Sequence, residues 1–342
     1  MSQPSLRTTV VGSYPVPEWL MAMPSGQALI DATRVVFKTQ EMAGIDVVVD
    51  GELYRWDVNH PDTNGMIDYF VKPMDGIREQ VTRKDIVEFS QLEGMGFRVA
   101  PAGVVEGPID EGTLNIPRDY ARARQCTHHP LKFTLTGPHM LCKTLMDHHY
   151  NSRPEMAMAL GRALAKQVAD IDPEVIQVDE ANITGHPEEI GWAADSINLV
   201  LDGAVKAKEK GVHLCFGNYG GQSIQKGHWE QLMTLINSLH CDHVVLEFAF
   251  RGYDELQYFR DGVDPRMGLG IGVVDVKVNT VETPEQIAQR IETATKRVGD
   301  DRIRWVHPDC GFWMNKRSIA DRKIANLVRG RDLFLGIDSA AS

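Results

Sequence analysis

The amino-acid sequence predicts an α/β fold of the (β/α)8 type, the TIM barrel. Eight short runs rich in β-branched residues alternate with helical patterns along most of the chain, which is typical of βα units around a parallel sheet. An open, doubly wound sheet is the alternative, but no Gly-x-Gly-x-x-Gly motif follows the first predicted strand. We therefore expect a barrel, and a single domain over residues 1–342.

The predicted strands and helices follow one another in regular order, with one long gap. The strand runs are 8–12, 47–50, 132–136, 175–178, 212–216, 244–248, 267–274 and 304–307. The helical patterns, several of which begin at Pro or Ser and end at Gly, are 27–43, 154–169, 188–210, 229–239, 284–298 and 319–335. The gap predicts that residues 53–130 form an insertion after the second strand.

The composition excludes several classes of protein. The net charge of the 342 residues is -11, and no Lys/Arg cluster is interleaved with aromatic residues, which argues against a nucleic-acid partner. No run of about 18 apolar residues is present, so we expect no membrane span, and the N-terminus lacks the apolar core of a signal peptide. The five cysteines are scattered, unlike a disulfide framework, which indicates a reducing, cytoplasmic location.

Four residues form a candidate metal site. His213 and Cys215 lie two positions apart in a predicted strand, so their side chains point to the same face. Glu247 and Cys310 follow two later strand-like runs. One His, two Cys and one carboxylate suit Zn²⁺, and a displaceable oxygen ligand would leave room for a substrate. The alternative is that His213 and Cys215 are only buried core residues.

Further polar residues come at the predicted strand ends, where barrel enzymes have their active sites. The candidates besides the four ligands are Ser13, Asp50, Glu52, Asp179, Glu180, Asp275 and Lys277. The barrel would bring these residues to one mouth, although any one of them could instead be a solvated loop position.

The motifs in combination resemble the cobalamin-independent methionine synthase family, in particular its C-terminal catalytic barrel. The segments that carry the resemblance are Thr8-Thr-Val-Val-Gly-Ser-Tyr-Pro15, Asp50-Gly-Glu52, Gln177-Val-Asp-Glu180, His213-Leu-Cys215, Glu247 and His307-Pro-Asp-Cys-Gly311. They extend from residue 8 to residue 311 and so span almost the whole chain.

The resemblance implies a role for each group of residues. The family's zinc ligands match His213, Cys215, Glu247 and Cys310. The positions that hold the carboxylate and amino group of homocysteine match Ser13, Glu52 and Asp179. By the same resemblance the chain is expected to be a cytoplasmic enzyme that transfers a methyl group to the homocysteine thiol and makes methionine.

Two departures leave the methyl donor open between methyltetrahydrofolate and methylcobalamin, the latter possible also as a group delivered by a partner protein. Full-length family members carry a second, N-terminal barrel for the folate, whereas this chain is expected to begin at the catalytic barrel. The family's Asp-x-His segment here reads Asp275-Val276-Lys277, and a Lys is less suited to proton transfer near neutral pH. A folate donor would need a proton, for which Glu180 and Asp275 are further catalytic candidates.

Two other functions stay open at this point. One is a zinc-dependent alkyltransferase or lyase that acts on another thiol, such as coenzyme M. The acids Glu52 and Asp179 favour an amino-acid thiol over a sulfonate. The other is a non-catalytic binder of zinc or of a corrinoid protein.

Overall fold

The computed structural model describes residues 6–56, 64–92, 98–218, 221–299 and 301–337. Its centre is a curled, seven-stranded parallel sheet with the strand order β1-β10-β9-β8-β7-β6-β4. The strands are β1 (Arg7–Thr8), β2 (Asp75–Arg78), β3 (Val104–Asp110), β4 (Lys132–Thr136), β5 (Met146–Asp147), β6 (Val175–Glu180), β7 (Glu209–Leu214), β8 (His243–Leu246), β9 (Gly268–Val274) and β10 (Ile303–Pro308). The α/β class is as predicted.

Helices cover the sheet and connect its strands. They are α1 (Glu18–Ala22), α2 (Gly26–Ala43), α3 (Asp68–Val71), α4 (Arg83–Ser90), α5 (Ile116–Arg124), α6 (Pro138–Lys143), α7 (Arg153–Val168), α8 (Ile190–Gly203), α9 (Met233–Ser238), α10 (Gln257–Gly262), α11 (Pro284–Val298) and α12 (Arg317–Leu335). Among these described helices, none is both long and apolar enough to cross a lipid bilayer.

The predicted second strand, 47–50, is present only as two isolated bridges between the edges of the sheet. Val47 pairs with Thr9 beyond β1, and Val48 pairs with Leu131 just before β4. The next residue, Val49, turns to α2 instead, because the buried Gln40 side chain donates to Val49 O at 2.7 Å and accepts from Val49 N at 2.9 Å. One glutamine therefore supplies the two hydrogen bonds that a neighbouring strand would make.

The helix predicted over 188–210 is wrong at its C-terminal end. The observed α8 ends at Gly203, and residues 209 and 210 already belong to β7. Glu209 and Lys210 pair with Val175 and Ile176 of β6. Tertiary pairing thus outweighs the helix propensity of the Lys/Glu-rich stretch. The helix predicted over 229–239 begins with the 3-10 turn Trp229–Leu232 and continues as α9, whereas α11 has the predicted bounds.

A second, three-stranded sheet with the order β2-β3-β5 lies beside the first. Two of its strands come from the predicted insertion, 53–130, and the third comes from the segment after α6. Residues 57–63 and 93–97 of that predicted insertion are outside the described residues.

Strand β9 carries glycines at the alternate positions 268, 270 and 272, which share one face of the strand. A Cβ atom on Gly270 would lie 3.0 Å from His307 Nε2, and one on Gly272 would lie 2.0 Å from Asp309 Oδ1. The missing side chains of β9 therefore leave the space that these two buried polar residues fill.

We expect the substitution Gln40→Leu to destabilise the fold, since Val49 would keep a buried N–H and C=O without partners. The free energy of unfolding should fall by roughly 2–4 kcal/mol, measured by urea denaturation. Gln27→Leu, at an exposed position of the same helix, is the control and should change stability by less than about 0.5 kcal/mol. Equal stability of the two variants would contradict this account of Val49.

Candidate metal centre and adjoining acidic pocket

Three predicted ligands converge at the carboxyl ends of β7 and β10. The ligand atoms of His213, Cys215 and Cys310 all lie within 4.8 Å of one another. His213 is the fifth residue of β7, Cys215 directly follows that strand, and Cys310 follows β10. Parallel strands bring these distant positions together because their carboxyl ends share one side of the sheet.

The His213 ring is oriented for coordination. Its Nδ1 lies 3.0 Å from the carbonyl oxygen of Val245, which can only accept, so Nδ1 carries the proton. The other nitrogen, Nε2, is buried and has no hydrogen-bond partner among the residues that the structure describes. Its lone pair is therefore free for a metal ion, and the backbone bond at Nδ1 is the usual support of a ligating histidine.

The two thiols lie close enough together to share a hydrogen bond. A hydrogen bond from Cys215, together with nearby His213, holds the pKa of Cys310 well below its usual range. The same bond and burial raise the pKa of the Cys215 thiol. Backbone N–H groups of Gly217 and Gly311 lie beside the sulfurs and favour their ionised forms. A divalent cation between the sulfurs would favour both thiolates, so the donor set fits zinc.

Glu247 is not part of this three-residue group, although the sequence analysis assigned it as a fourth ligand. One of its carboxylate oxygens forms an ion pair with the Lys277 ammonium. The other accepts from Phe216 N at 2.9 Å. The side chains of Glu247 and Lys277 are 1% and 2% exposed, so the pair is out of water.

An acidic pocket adjoins the centre. Asp179 pairs with His213 across β6 and β7, and burial raises the pKa of its carboxyl to about 7. Glu52 lies close enough to add to that shift by charge repulsion. Its carboxylate accepts from Thr134 Oγ1 at 2.5 Å and lies 3.3 Å from the Arg55 guanidinium. Two buried carboxylates near the metal centre suit a cationic group of a ligand.

Ser13 lies beside the segment that carries Cys310. A Cβ atom on Gly311 would lie 2.0 Å from Ser13 Oγ, which places the hydroxyl against the residue after Cys310. A Cβ atom on Gly12 would lie 2.2 Å from Glu52 Oε1. The structure therefore places Ser13 against the residue that follows Cys310, and its neighbour Gly12 against Glu52.

The predicted proton-transfer residues Glu180 and Asp275 are held by backbone groups. The Glu180 carboxylate accepts from His139 N at 3.0 Å and Met140 N at 2.9 Å, at the start of α6. Asp275 Oδ1 accepts from Lys277 N at 2.8 Å and so supports the turn after β9. Both carboxylates thus have structural contacts that the sequence analysis did not predict.

Asp309 is a functional candidate that the sequence analysis missed. It is fully buried, and its carboxylate accepts three backbone N–H bonds from the segment after β8; the donors are Phe248, Ala249 and Phe250. Burial and the Glu247 charge raise the pKa of Asp309 to about 8. The sequence feature that could have indicated Asp309 is its position between the last predicted strand and Cys310, in the segment Pro-Asp-Cys-Gly.

A second missed feature is a buried polar chain beneath the pocket. Lys132 Nζ donates to Gln177 Oε1 at 2.7 Å, and Gln177 Nε2 donates to Asp179 Oδ1 at 2.7 Å. Burial lowers the pKa of Lys132 to about 7. The glutamine thus orients Asp179 from below while the lysine balances its charge.

Comparison with known proteins identifies the family. Residues 6–331 match the family model described as cobalamin-independent synthase, catalytic domain. The chain belongs to this family. Curated relatives include the methionine synthases of Thermococcus kodakarensis, 27% identical over 97% of this chain and 94% of the relative, and of Sulfurisphaera tokodaii, 27% identical over 96% and 92%. The resemblance noted in the sequence is confirmed, and with it membership of an enzyme family of methionine biosynthesis.

Solved structures of cobalamin-independent synthases share the fold. The B12-independent methionine synthase from a Shewanella species, solved with selenomethionine, superposes with a TM-score of 0.80 at 23% identity and covers 97% of this chain and 98% of that one. A putative vitamin-B12-independent methionine synthase from Listeria monocytogenes has a TM-score of 0.70 at 18% identity, over 95% of this chain and 96% of the other.

We expect Asp309→Asn to loosen the segment after β8, since an amide nitrogen cannot accept the N–H bonds that a carboxylate oxygen takes. Unfolding in urea at pH 9, where the Asp309 carboxyl is ionised, should show a loss of about 1–3 kcal/mol. The exposed substitution Asp301→Asn serves as the control. A loss no larger than that of the control would show that the three bonds add nothing to stability.

Proposed function

We propose that this protein is a zinc-dependent methyltransferase that transfers a methyl group to the thiol of homocysteine and forms methionine. The observation that carries the proposal is the buried His213 Nε2, which has no hydrogen-bond partner in the described part of the chain and lies beside the sulfurs of Cys215 and Cys310. Membership of the family supports the reaction class.

His213, Cys215 and Cys310 would hold the zinc, with Glu247 as the oxygen ligand that the sequence suggests. When bound, zinc supplies Lewis acidity that lets a substrate thiol lose its proton near neutral pH. The Gly217 and Gly311 N–H groups favour the anionic sulfurs of the chain itself. Reduced cysteines at this centre fit a cytoplasmic enzyme.

The acidic pocket would hold the amino-acid end of homocysteine. Glu52 and Asp179, whose charges act on each other, would accept hydrogen bonds from the substrate ammonium. Ser13, beside Gly311, would donate its hydroxyl to the substrate carboxylate. With its ammonium and carboxylate both held, the substrate would have its sulfur turned toward the cysteine pair. Such orientation alone can lower the activation free energy by about 7–11 kcal/mol.

The donor would be methyltetrahydrofolate or methylcobalamin, the latter also in a form delivered by a partner protein. Glu180, Asp275 and Lys277 are the groups proposed to move a proton if the leaving atom is a nitrogen. Methylcobalamin would need no such acid. Lys277 in place of a histidine, already paired with Glu247, favours a donor other than the usual folate.

The proposed architecture around this site is a (β/α)8 barrel in a single domain of residues 1–342. Residues 47–50 would serve as the second strand, through the bridges at Val47 and Val48. Residues 53–130 would be the insertion that follows it.

A methyl-transfer assay tests the reaction. Homocysteine and coenzyme M are compared as acceptors, each with monoglutamyl and triglutamyl methyltetrahydrofolate and with methylcobalamin. We expect methionine from homocysteine, little difference between the folate tails, and methylcobalamin at least as effective as folate. Product from coenzyme M alone would favour the other thiol transferase, and zinc binding without product from any pair would favour a non-catalytic binder.

We expect the wild-type protein to contain about one zinc per chain. Cys215→Ser and Cys310→Ser should each lose most of it, because each removes one of two anionic sulfur ligands, and His213→Ala should act likewise. Metal analysis of the purified proteins is the measurement. Cys126→Ser, remote from the cluster, is the matched control and should retain zinc. Full zinc in both cysteine variants would refute the site.

Asp179→Asn and Glu52→Gln should weaken homocysteine binding while zinc content stays at one per chain. Loss of a charged hydrogen bond to the ammonium should raise the dissociation constant about ten- to a hundredfold, measured by calorimetry on the zinc-loaded protein. Asp170→Asn removes a carboxylate on the exposed surface and should bind as the wild type does. Unchanged affinity in both pocket variants would point to a thiol without an amino group.

A further inference from the structure

Glu52 has an uncommon backbone conformation. Its φ and ψ angles are 60° and 22°, in the left-handed region that residues with a side chain rarely adopt. Such a conformation persists only where the surrounding structure holds it in place. The N–H of Glu52 donates to Asp50 Oδ1 at 2.8 Å, and its C=O accepts from Arg55 N at 3.0 Å. This short turn fixes the direction in which the Glu52 side chain leaves the backbone.

The Arg55 guanidinium holds the Glu52 carboxylate. Its Nη1 lies 3.3 Å from Glu52 Oε1, and the two side chains are 2% and 6% exposed. Its Nη2 donates to the backbone oxygen of Thr134 at 2.5 Å. The Thr134 hydroxyl in turn donates to Glu52 Oε1 at 2.5 Å. The three side chains therefore form a closed set of contacts that ties the carboxylate to strand β4.

Aromatic side chains hold the Arg55 guanidinium in place. Its Cζ atom lies 5.0 Å from the ring centroid of Phe70 and 5.5 Å from those of Tyr54 and Tyr69. Tyr69 and Phe70 belong to α3, and the Tyr69 hydroxyl donates to Asp119 of α5 at 2.8 Å. Cation–π contacts are stronger when the cation is out of water. Parts of the predicted insertion thus support Arg55, and through it Glu52.

Gly12 leaves the space that the Glu52 carboxylate occupies. A Cβ atom on Gly12 would lie 2.2 Å from Glu52 Oε1 and 3.1 Å from Glu52 Cδ. The first distance is far shorter than a packed interior permits. An alanine at this position would keep every charge of the pocket but displace the carboxylate.

We propose that Arg55 is a positioning residue that holds the Glu52 carboxylate toward the substrate ammonium, and that the segment after residues 47–50 thereby selects thiols that carry an amino group. The inference rests on the proposed function, in which Glu52 accepts a hydrogen bond from that ammonium. Arg55 acts through Glu52 and does not itself contact the substrate. It keeps the carboxylate in its binding geometry before the substrate arrives.

The binding of two thiols to the zinc-loaded protein tests the inference. One is homocysteine, and the other is γ-mercaptobutyrate, which is homocysteine without its amino group. Arg55→Met should raise the dissociation constant of homocysteine about tenfold and change that of γ-mercaptobutyrate by less than about twofold, both measured by calorimetry. A general loss of structure would weaken both thiols. Arg83→Met, at an exposed position of α4, is the matched control and should bind both as the wild type does.

A double-mutant cycle assigns the effect to Glu52. In the Glu52→Gln background, Arg55→Met should no longer weaken homocysteine, because the charge that Arg55 positions is absent. Gly12→Ala should reproduce the loss for homocysteine alone, since it displaces the same carboxylate without removing any charge. Zinc content should stay at the wild-type level in all of these variants.

Two results would overturn the role of Arg55. Equal weakening by Arg55→Met in both Glu52 backgrounds would show that it acts independently of that carboxylate. Unchanged or tighter homocysteine binding by Arg55→Met would show that no positioning is lost. Failure of the proposed function gives a different result, namely equal affinity of the wild type for the two thiols, which would reject the ammonium pocket together with this inference.

Arg55→Lys keeps the test decisive if circular dichroism shows that Arg55→Met does not fold. A lysine retains the positive charge but lacks the forked guanidinium that reaches Glu52 and Thr134 together. Homocysteine should therefore bind about threefold or more weakly, with γ-mercaptobutyrate unchanged. Wild-type affinity of Arg55→Lys for homocysteine would show that the forked contact positions nothing.

Discussion

The parallel register of β6, β7 and β8 determines where the polar side chains of the centre lie. Asp179 pairs with His213, and His213 pairs with Val245, whose carbonyl oxygen sets the tautomer of the imidazole. A slip of one residue would turn each of these side chains to the opposite face of its strand. His213 is thus held by regular sheet, where hydrogen bonds run along whole strands, and the segments directly after β7 and β10 add Cys215 and Cys310. A centre built this way is organised before any ligand arrives.

The buried carboxylates of Glu247 and Asp309 both have hydrogen-bond or ion-pair partners, because an unpaired charge out of water is costly. Removed from water, two carboxylates near the metal site are met by a cation or by backbone N–H groups: Glu247 by Lys277 and Phe216, and Asp309 by three amides. The low dielectric that makes such contacts strong also makes them costly to break. The site therefore resists rearrangement. The ligand nitrogen of His213 stays within 4.8 Å of the two sulfurs.

The sequence predicted the parts of the site that depend on local spacing. Residues two apart on a strand point to the same face, and this spacing was sufficient to pair His213 with Cys215. Cys310 and Asp179 were expected in the same region because active sites of barrels lie at the carboxyl ends of the strands. The partner of Glu247 was not predictable in this way, because its contact with Lys277 joins positions 30 apart, with α10 and β9 between them. The second strand was reduced to bridges by the side chain of Gln40, and the end of α8 was set by pairing with β6, effects that hydrophobic periodicity does not contain.

Strand β9 shows how a residue without a side chain shapes the chemistry of others. Its glycines at positions 268, 270 and 272 leave one wall of the interior as bare backbone. Asp309 occupies the room beside Gly272 and from there ties down the chain that follows Glu247. A methyl group added at Gly272 would displace Asp309, and the displacement would pass to the segment after β8 and to the Glu247 carboxylate at its start. Substitutions of polar side chains on the other strands change the chemistry of the interior. The glycines of β9 fix the volume that those side chains can occupy.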